Sequence, residues 1–348
     1  MNTALAPPPA GVAQLVARGH EVRVQSGAGE RIGFGDELYR QAGALVVDGA
    51  ERVYAESEMI LKVKEPQPVE YELLQPQQLL FCYLHLAPEP QLTTALLDRR
   101  VTGVAFETVT DAQGQLPLLT PMSEIAGRLS VQAGALALQP INGGRGVLLS
   151  GAPGVPPARV LILGGGVVGT QAARIAVGMG AEVTLLDIDT GRLRTLDDLF
   201  ALRVKTAYSD PATLAALLPE TDLLIGAVLL PGARAPHLVS RAMLCTMLPG
   251  SAIVDVAIDQ GGCVESARAT THSNPMYVEQ GVVHYCVANM PAAAARTATQ
   301  ALALATLPYA LRIADLGWEK AAARDPGLAA GLNTAGGQLV HPVLRAAA

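Results

Sequence analysis

Aromatic and charged residues are scarce in this 348-residue sequence, in which aromatics make up 4% of the chain and charged residues 16%. The low aromatic content argues against the base-stacking surface of a single-strand nucleic-acid binder. The formal net charge of −6 gives no support for a nucleic-acid or membrane-surface partner. No uncharged apolar run reaches the roughly 18 residues that a membrane-spanning helix requires. We therefore expect neither nucleic acid nor a membrane as a partner.

Cysteine is also sparse, and no Cys-x-x-Cys pair occurs among Cys82, Cys245, Cys263 and Cys286. This wide spacing predicts reduced thiols and argues against a disulfide framework or a zinc site. The histidines show no metal-ligand spacing either, so we expect no bound metal. The first residues lack the basic and apolar regions of a signal peptide, and we expect a cytoplasmic location.

The most informative stretch covers residues 159–189. An apolar run that predicts a buried strand leads into the glycine turn Gly-Gly-Gly-Val-Val-Gly at 164–169, and a small-residue helix follows. A second apolar run ends on Asp187. This order is the fingerprint of a dinucleotide-binding βαβ unit. Gly164 permits the tight turn, Gly166 lets a pyrophosphate approach backbone N–H groups, and Gly169 allows close packing of helix and strand.

Asp187 follows the turn at about the 20-residue separation expected for the acid that accepts hydrogen bonds from an adenosine ribose. Its carboxylate favours NAD over NADP because it would repel a 2′-phosphate. Arg192 and Arg194 lie close by in the sequence. They weaken that preference without reversing it.

Apolar runs alternate with helical segments along the chain, which predicts a two-domain α/β protein. We expect a Rossmann-type, doubly wound parallel sheet over residues 119–295. It would be inserted into a second, flavodoxin-like α/β substrate domain formed by residues 1–118 and 296–348. Helices are predicted at 122–138 and at 292–316, the latter packing back on the first domain. The predicted strands are 20–24, 59–64, 79–85, 101–107, 160–163, 183–186, 202–206, 223–228, 252–257 and 281–286.

Three polar residues near predicted strand ends are candidates for substrate chemistry. Lys64 follows an apolar strand and can pair with a carboxylate or polarise a carbonyl, although a surface lysine fits the pattern equally well. His85 ends an apolar run, which suits either general acid–base catalysis or a structural histidine. Asp259 precedes a Gly-Gly turn and can serve a binding site or the turn itself.

Six sequence blocks, in order along the chain, resemble the alanine dehydrogenase family. The blocks are Leu-Lys-Val-Lys-Glu-Pro at 61–66, Tyr-Leu-His-Leu-Ala at 83–87, Phe-Glu-Thr-Val at 106–109, Pro-Met-Ser-Glu-Ile-Ala-Gly-Arg at 121–128, Val-Asp-Val-Ala-Ile-Asp-Gln-Gly-Gly-Cys at 254–263 and Val-Ala-Asn-Met-Pro at 287–291. The likeness covers nearly the whole chain. The nearest relative in fold is the NAD-binding subunit of proton-translocating transhydrogenase.

The resemblance implies reversible oxidative deamination, in which L-alanine, NAD⁺ and water give pyruvate, ammonium and NADH. It also implies a homo-oligomer, specifically a hexamer. Two alternatives are a transhydrogenase-type NAD(H) domain and an NAD-binding protein of reduced or no activity.

By the same resemblance, Lys64 binds the substrate carboxylate or carbonyl oxygen, and His85 is the general acid/base at the substrate oxygen. Asp259 stabilises the cationic amine or iminium and assists the attacking water. Met122 shapes the methyl pocket. Asn289 binds the substrate, and together with Met290 it lines the nicotinamide side. The residues expected at the cofactor are Ser123, Gly164, Gly166, Val168, Gly169, Asp187, Arg192, Ser209, Val228, Leu229 and Val256.

The N-terminus departs from the family pattern. The family opens with a strand and an arginine that clamps the substrate carboxylate, whereas Ala4 stands at that arginine's position and no arginine precedes Arg18. Alanine cannot make a bidentate contact with a carboxylate. We expect a further segment upstream, with weakened alanine affinity as the alternative.

Overall fold

The computed structural model describes residues 7–228 and 235–347. Within these ranges the chain forms two compact units. The first unit consists of residues 7–121 and 295–347, and the second consists of the described residues between Met122 and Ala294. The second unit is therefore an insertion in the first.

The helices fall in both units and include the two long helices that the sequence predicts near 122–138 and 292–316. They are α1 (Pro9–Ala17), α2 (Asp36–Gln41), α3 (Gly49–Ala55), α4 (Pro90–Asp98), α5 (Thr120–Ala137), α6 (Val167–Gly178), α7 (Thr190–Phe200), α8 (Pro211–Leu217), α9 (Arg241–Leu244), α10 (Ala295–Leu316), α11 (Trp318–Arg324), α12 (Pro326–Ala329) and α13 (Pro342–Ala347).

The strands are short, and most of them lie within the apolar runs of the sequence. They are β1 (Arg23–Gln25), β2 (Leu45–Val47), β3 (Met59–Leu61), β4 (Leu79–Cys82), β5 (Thr102–Ala105), β6 (Arg159–Leu163), β7 (Glu182–Asp187), β8 (Val204–Tyr208), β9 (Leu223–Gly226), β10 (Ala252–Asp255), β11 (Met276–Glu279), β12 (Val282–Tyr285), β13 (Leu332–Ala335) and β14 (Gln338–Leu339).

The second unit contains a seven-stranded sheet with the order β11-β12-β10-β9-β6-β7-β8. Its strands pair in parallel except for β11, which runs antiparallel to β12 at one edge. The chain moves outward from β6 through β7 to β8, then returns to β9 on the other side of β6. This reversal is the switch point of a doubly wound sheet, where ligands of such folds bind. The predicted Rossmann-type architecture is confirmed.

Both faces of this sheet are covered, as continuous apolar strands require. Val160 and Ile162 of β6 belong to one buried cluster, whereas the alternating Leu161 and Leu163 belong to a second cluster. The period of two along a strand thus divides one apolar run between two cores. The sheet is fixed from both sides, and the turn after β6 has a rigid base.

The first unit contains a five-stranded sheet with the order β14-β13-β5-β4-β3 and a separate parallel pair, β1-β2. Strands β3, β4 and β5 pair in parallel, as expected from the alternating pattern. Strand β13 joins β5 in antiparallel fashion, so the C-terminal part of the chain extends the sheet. The sequence did not predict β13 and β14. Ala4, the position aligned with the family arginine, lies outside the described residues.

The hydroxyl of Thr334 explains how the polar strand β13 is held to β5. It accepts the N–H of Gly103 at 3.0 Å and donates to the carbonyl oxygen of Val101 at 3.0 Å. Thr334 is fully buried, and both of its hydrogen-bonding functions are satisfied. Within the described ranges, no helix is both long and apolar enough to cross a membrane.

Candidate functional site

The glycine turn follows β6 at the switch point of the second unit's sheet. Gly164 has φ of 99°, and a Cβ there would lie 2.8 Å from the carbonyl oxygen of Ala227. A Cβ on Gly169 would lie 1.8 Å from the carbonyl oxygen of Gly164, so a side chain would push α6 away from β6. Both positions therefore require glycine.

Helix α6 begins directly after the turn, with Gly166 at its N-cap in an extended conformation. Nothing lies within 4 Å of a Cβ built on Gly166, so the described chain leaves this side of the turn open. No side chain of the described residues caps the helix. Its N-terminus, with its partial positive charge, suits the pyrophosphate of a dinucleotide.

Asp187 ends β7 beside this turn and contacts it directly. One carboxylate oxygen accepts the N–H of Gly165 at 2.6 Å, and the other accepts the N–H of Asp189 at 2.8 Å. Arg192 of α7 donates through Nε to the Gly165 carbonyl oxygen at 2.6 Å and through Nη2 to the Thr170 hydroxyl at 2.7 Å. Each oxygen of the Asp187 carboxylate can still accept a further hydrogen bond from a ribose hydroxyl.

Three further residues expected at the cofactor lie on the elements around this turn. Ser209 follows β8, and its N–H donates to the carbonyl oxygen of Asp187 at 3.0 Å. Val168 is in the first turn of α6, which packs against α5, because a Cβ on Gly127 would lie 2.3 Å from the Val168 carbonyl oxygen. Ser123 lies in the first turn of α5, and is therefore near the helix pair.

Three other residues expected at the cofactor or substrate lie elsewhere in the second unit. Val228 follows β9 and Val256 follows β10, each half-buried. Met122 is half-buried near the start of α5. Leu229 lies outside the described residues.

Asp259 and Asn289 come together from two different strand ends. Asp259 lies on a short 3₁₀ helix, Val256–Gln260, which follows β10. Both of its carboxylate oxygens accept the N–H of Asn289, at 3.2 and 3.3 Å. Asn289, shortly after β12, has φ of 53°, in the left-handed region that asparagine tolerates. The Asp259 carboxylate therefore fixes the backbone of Asn289, which the sequence also predicts to lie at the active site.

Asp255, at the end of β10, holds the loop that carries Asp259. Its buried carboxylate accepts the N–H groups of Ala257 at 3.0 Å, Cys263 at 2.8 Å and Val264 at 3.2 Å. Burial raises the pKa of Asp255 to about 6, and these hydrogen bonds oppose the shift. Asp255 was not among the residues selected from the sequence, although it is the last residue of an apolar run.

Lys64 lies in the first unit beyond the end of β3. The strand ends at Leu61, earlier than the predicted end at 64, because the chain bends at Val63 and Lys64 ahead of Pro66. The Lys64 side chain is 45% exposed, and its Nζ lies 3.8 Å from the Glu65 carboxylate. The ammonium group is thus loosely paired and accessible in its own unit.

His85 likewise lies beyond its strand, β4, and has φ of 48°. This left-handed conformation ends the strand earlier than the predicted 79–85. The Glu107 carboxylate accepts the N–H of His85 at 2.7 Å and that of Leu84 at 3.1 Å. One of its oxygens is also 3.7 Å from His85 Nδ1. Glu107 therefore holds the backbone of His85, and its carboxylate lies near the ring.

Tyr83 supports the other part of this arrangement. Its ring stacks on the His85 ring, with centroids 5.6 Å apart and planes 11° apart. Its hydroxyl donates to the carbonyl oxygen of Leu118 at 2.7 Å, and burial raises its pKa. Neither Tyr83 nor Glu107 was assigned a role from the sequence. The sequence feature that could have identified them is that both lie inside the blocks that resemble the family.

The structure brings Lys64 and His85 to the same edge of one sheet. Strands β3 and β4 are parallel neighbours with Leu61 opposite Phe81. Beyond the strands, the N–H of Tyr83 donates to the carbonyl oxygen of Val63 at 3.0 Å. Lys64 follows Val63 directly, and His85 lies two residues after Tyr83. A cation and an imidazole at adjacent strand ends suit a substrate with a carboxylate and a carbonyl.

The four cysteines are free thiols, as predicted, with Cys245 exposed and Cys82, Cys263 and Cys286 buried. Burial raises the pKa of Cys286 to about 12, so this thiol is unreactive near neutral pH. Within the described part of the chain, no group of three or more His, Cys, Asp and Glu side chains is arranged to hold a metal ion.

These features define a class: two-domain α/β proteins in which a doubly wound sheet carries a dinucleotide-type glycine turn. Family models place the chain more narrowly. Residues 3–126 match the model of the alanine dehydrogenase/PNT N-terminal domain, and residues 130–342 match that of the alanine dehydrogenase/PNT C-terminal domain. The chain belongs to the alanine dehydrogenase/PNT family.

Individual relatives agree with this assignment. The chain is 56% identical to the alanine dehydrogenase of Methanococcus maripaludis over 334 residues, which cover 96% of this chain and 90% of the relative. It is 53% identical to the alanine dehydrogenase of Bacillus subtilis strain 168, with 96% and 88% covered.

Among solved structures, an L-alanine dehydrogenase matches with a TM-score of 0.95 and 52% identity, over 99% of this chain and 96% of that one. A transhydrogenase from Sinorhizobium meliloti matches with a TM-score of 0.84 and 26% identity, over 97% of this chain and 96% of that one.

Proposed function

We propose that the protein is an NAD-dependent alanine dehydrogenase. It would convert L-alanine, NAD⁺ and water reversibly to pyruvate, ammonium, NADH and a proton. The observation that carries the proposal is the 56% identity to an alanine dehydrogenase over 96% of this chain. The presence of Lys64, His85 and Asp259 at strand ends supports it.

The nucleotide turn fits the proposed cofactor. Gly166 leaves open space before an uncapped helix N-terminus, and Asp187 ends the adjacent strand. The helix N-terminus would hold the pyrophosphate, and Asp187 would accept hydrogen bonds from the adenosine ribose hydroxyls. NAD, when bound, supplies the acceptor for the hydride from the alanine Cα. The proposed preference of the protein for NAD over NADP rests on the Asp187 carboxylate, which would repel a 2′-phosphate.

Lys64 would bind the substrate carboxylate or the carbonyl oxygen of pyruvate. Its side chain is 45% exposed and its ammonium group is loosely paired, so it can exchange Glu65 for a substrate anion. As a fixed cation it would also stabilise negative charge that develops on that oxygen.

His85 would act as the general acid/base at the substrate oxygen. Its side chain is 43% exposed, and its Nδ1 faces the Glu107 carboxylate. This leaves Nε2 to exchange a proton with substrate.

Asp259 would stabilise the cationic amine or iminium and orient the attacking water. Its carboxylate also accepts the N–H of Asn289, which fixes the amide residue that would contact the substrate. Met122 would shape the pocket for the small methyl group of alanine.

A transhydrogenase-type role has less support. The L-alanine dehydrogenase structure exceeds the transhydrogenase in both identity, 52% against 26%, and TM-score, 0.95 against 0.84. We therefore place this chain on the dehydrogenase branch of the family.

We also propose a hexamer in the cytoplasm, with a substrate domain of residues 1–118 and 296–348 and an NAD-binding domain of residues 119–295. The support is the family resemblance. Light scattering coupled to gel filtration measures the mass; the proposal requires six copies of the 36.1-kDa chain, and a monomer would contradict it.

The reaction is tested by its product. Purified protein is incubated with pyruvate, ¹⁵N-ammonium and NADH, and amino acids are analysed by mass spectrometry. We expect ¹⁵N-labelled L-alanine in an amount equal to the NADH consumed. Reduction of pyruvate to lactate, or NADH binding without product, would contradict the proposal.

A further inference from the structure

We propose that Lys62 and Glu70 are positioning residues for Lys64, and that their buried ion pair fixes the segment on which Lys64 lies. The inference rests on the proposed function, in which Lys64 binds the substrate. It concerns Lys62, the first of the two lysines in the block at 61–66, to which the mechanism assigns no role.

The ion pair is short and almost fully buried. Lys62 Nζ lies 2.6 Å from each carboxylate oxygen of Glu70, and the two side chains are 5% and 10% exposed. The Tyr54 hydroxyl donates to one of these oxygens at 3.1 Å, and the N–H of Gln67 donates to the other at 2.7 Å. Four donor contacts thus converge on one carboxylate in the interior of the first unit.

These contacts close a loop around Lys64. The segment 62–67 is attached to the Glu70 carboxylate at its first residue through the Lys62 side chain and at its last through the Gln67 backbone. The Val63 carbonyl oxygen adds a third attachment by accepting the N–H of Tyr83. Lys64 lies inside the loop, so its Cα has little freedom to move. Such restriction matters because a misplacement of about 1 Å can lower a rate by about 100-fold.

A buried ion pair is a poor means of gaining stability, because removing two charges from water offsets most of their attraction. An apolar pair of similar volume would fill the same space. The ion pair instead restricts the conformation of the segment, since a lysine that reaches both oxygens of one carboxylate can occupy few positions. We infer that its effect is on geometry at Lys64.

Kinetics of matched variants test the inference in the full-length protein. Glu70→Gln and the double variant Lys62→Met with Glu70→Gln remove the ion pair, and the double variant leaves no buried lysine charge unpaired. Glu72→Gln is the control, because Glu72 is 88% exposed and pairs with Arg99 at the surface. We expect kcat/KM for pyruvate to fall by about 10- to 100-fold in both test variants. The KM for NADH should stay within about two-fold of wild type, because the nucleotide turn belongs to the other unit.

A purely structural role predicts a different result. In that case the melting temperature would fall, while folded protein would keep its kcat/KM for pyruvate. Equal losses for pyruvate and NADH in the double variant would also overturn the inference.

Chemical labelling provides a readout that needs no activity. The sequence contains four lysines, namely Lys62, Lys64, Lys205 and Lys320, and reductive methylation followed by peptide mass spectrometry reports each one. Wild type should label Lys64 and Lys205 but protect Lys62, whereas Glu70→Gln should expose Lys62 to the reagent. A reactive Lys62 in active wild type would overturn this inference alone. A protected Lys62 in wild type that turns over no pyruvate would overturn the proposed function and with it the role of Lys64.

Discussion

The Glu107 carboxylate accepts the backbone N–H of His85 at 2.7 Å and lies 3.7 Å from the Nδ1 of the same residue. One side chain thus holds a left-handed backbone and places a carboxylate near the imidazole attached to it. The strain of that backbone, of order 1–3 kcal/mol, persists because the surrounding contacts determine it.

We expect Glu107→Gln to lower kcat by about 10-fold or more, since a hydrogen bond to a charged group contributes about 1.5–3 kcal/mol. Glutamine keeps the size of the side chain and an amide oxygen that can accept both N–H groups, but it removes the negative charge that strengthens these hydrogen bonds and faces Nδ1. Steady-state kinetics with pyruvate and ammonium measure the effect. Glu319→Gln, an exposed position in the first turn of α11, is the matched control. A kcat for Glu107→Gln equal to that of the control would refute the assigned role.

The sequence could place His85 at a strand end but could not show what holds it. An apolar run that ends in histidine indicates a strand, and the structure instead turns the chain at that residue with φ of 48°. The acceptor, Glu107, lies 22 residues away. Pairing of β4 with β5 brings it close, and such a long-range contact leaves no local pattern.

Asp187→Ala should raise the KM for NAD by about 10-fold and weaken the rejection of NADP. The Asp187 carboxylate accepts the Gly165 N–H and lies where the ribose hydroxyls are expected. Its loss should weaken NAD binding because hydrogen bonds to a charged group are strong. The ratio of kcat/KM for the two cofactors is the measurement. Asp198→Ala, exposed on the same helix as Arg192, is the control. An unchanged cofactor ratio in Asp187→Ala would count against this interpretation.

Gly169→Ala should destabilise the second unit by about 1–3 kcal/mol and weaken NADH binding, because its Cβ would overlap the Gly164 carbonyl oxygen. Gly178 lies on the same helix, and a Cβ there has nothing within 4 Å. Gly178→Ala should therefore leave binding intact and gain up to about 1 kcal/mol. Thermal denaturation and NADH fluorescence titration compare the two variants. Similar behaviour of both would show that close packing at Gly169 is not required.

The glycine turn was predictable because its requirements are local. Spacing alone indicates a tight turn at Gly164 and close packing at Gly169, and the structure shows the contacts that a side chain would create. Strands β13 and β14 were not predictable in the same way. Leu332–Ala335 contains asparagine and threonine, and it forms a strand because the buried Thr334 hydroxyl bonds to β5. Tertiary contact decides the structure there.

The stability of the protein should depend on pH through Asp255. Its folded-state pKa is about 6, above the ordinary value of 3.8, so folding favours the protonated form. The stability that this group contributes is present below about pH 4 and is lost as the pH rises through 6. Relative to Asp255→Asn, which does not titrate, wild type should lose up to about 3 kcal/mol between pH 4 and 7. Urea denaturation across this range measures the difference, and parallel curves for the two proteins would contradict the raised pKa.

The initial rate of NADH oxidation, followed by absorbance, tests the account most directly. Wild type should consume NADH only when pyruvate and ammonium are both present. His85→Ala should bind NADH with unchanged affinity and show almost no consumption, whereas His237→Ala, at an exposed histidine of the second unit, should match wild type. Wild-type protein that binds NADH but leaves it unoxidised with both substrates present would contradict the central claim, and full activity in His85→Ala would contradict its mechanism.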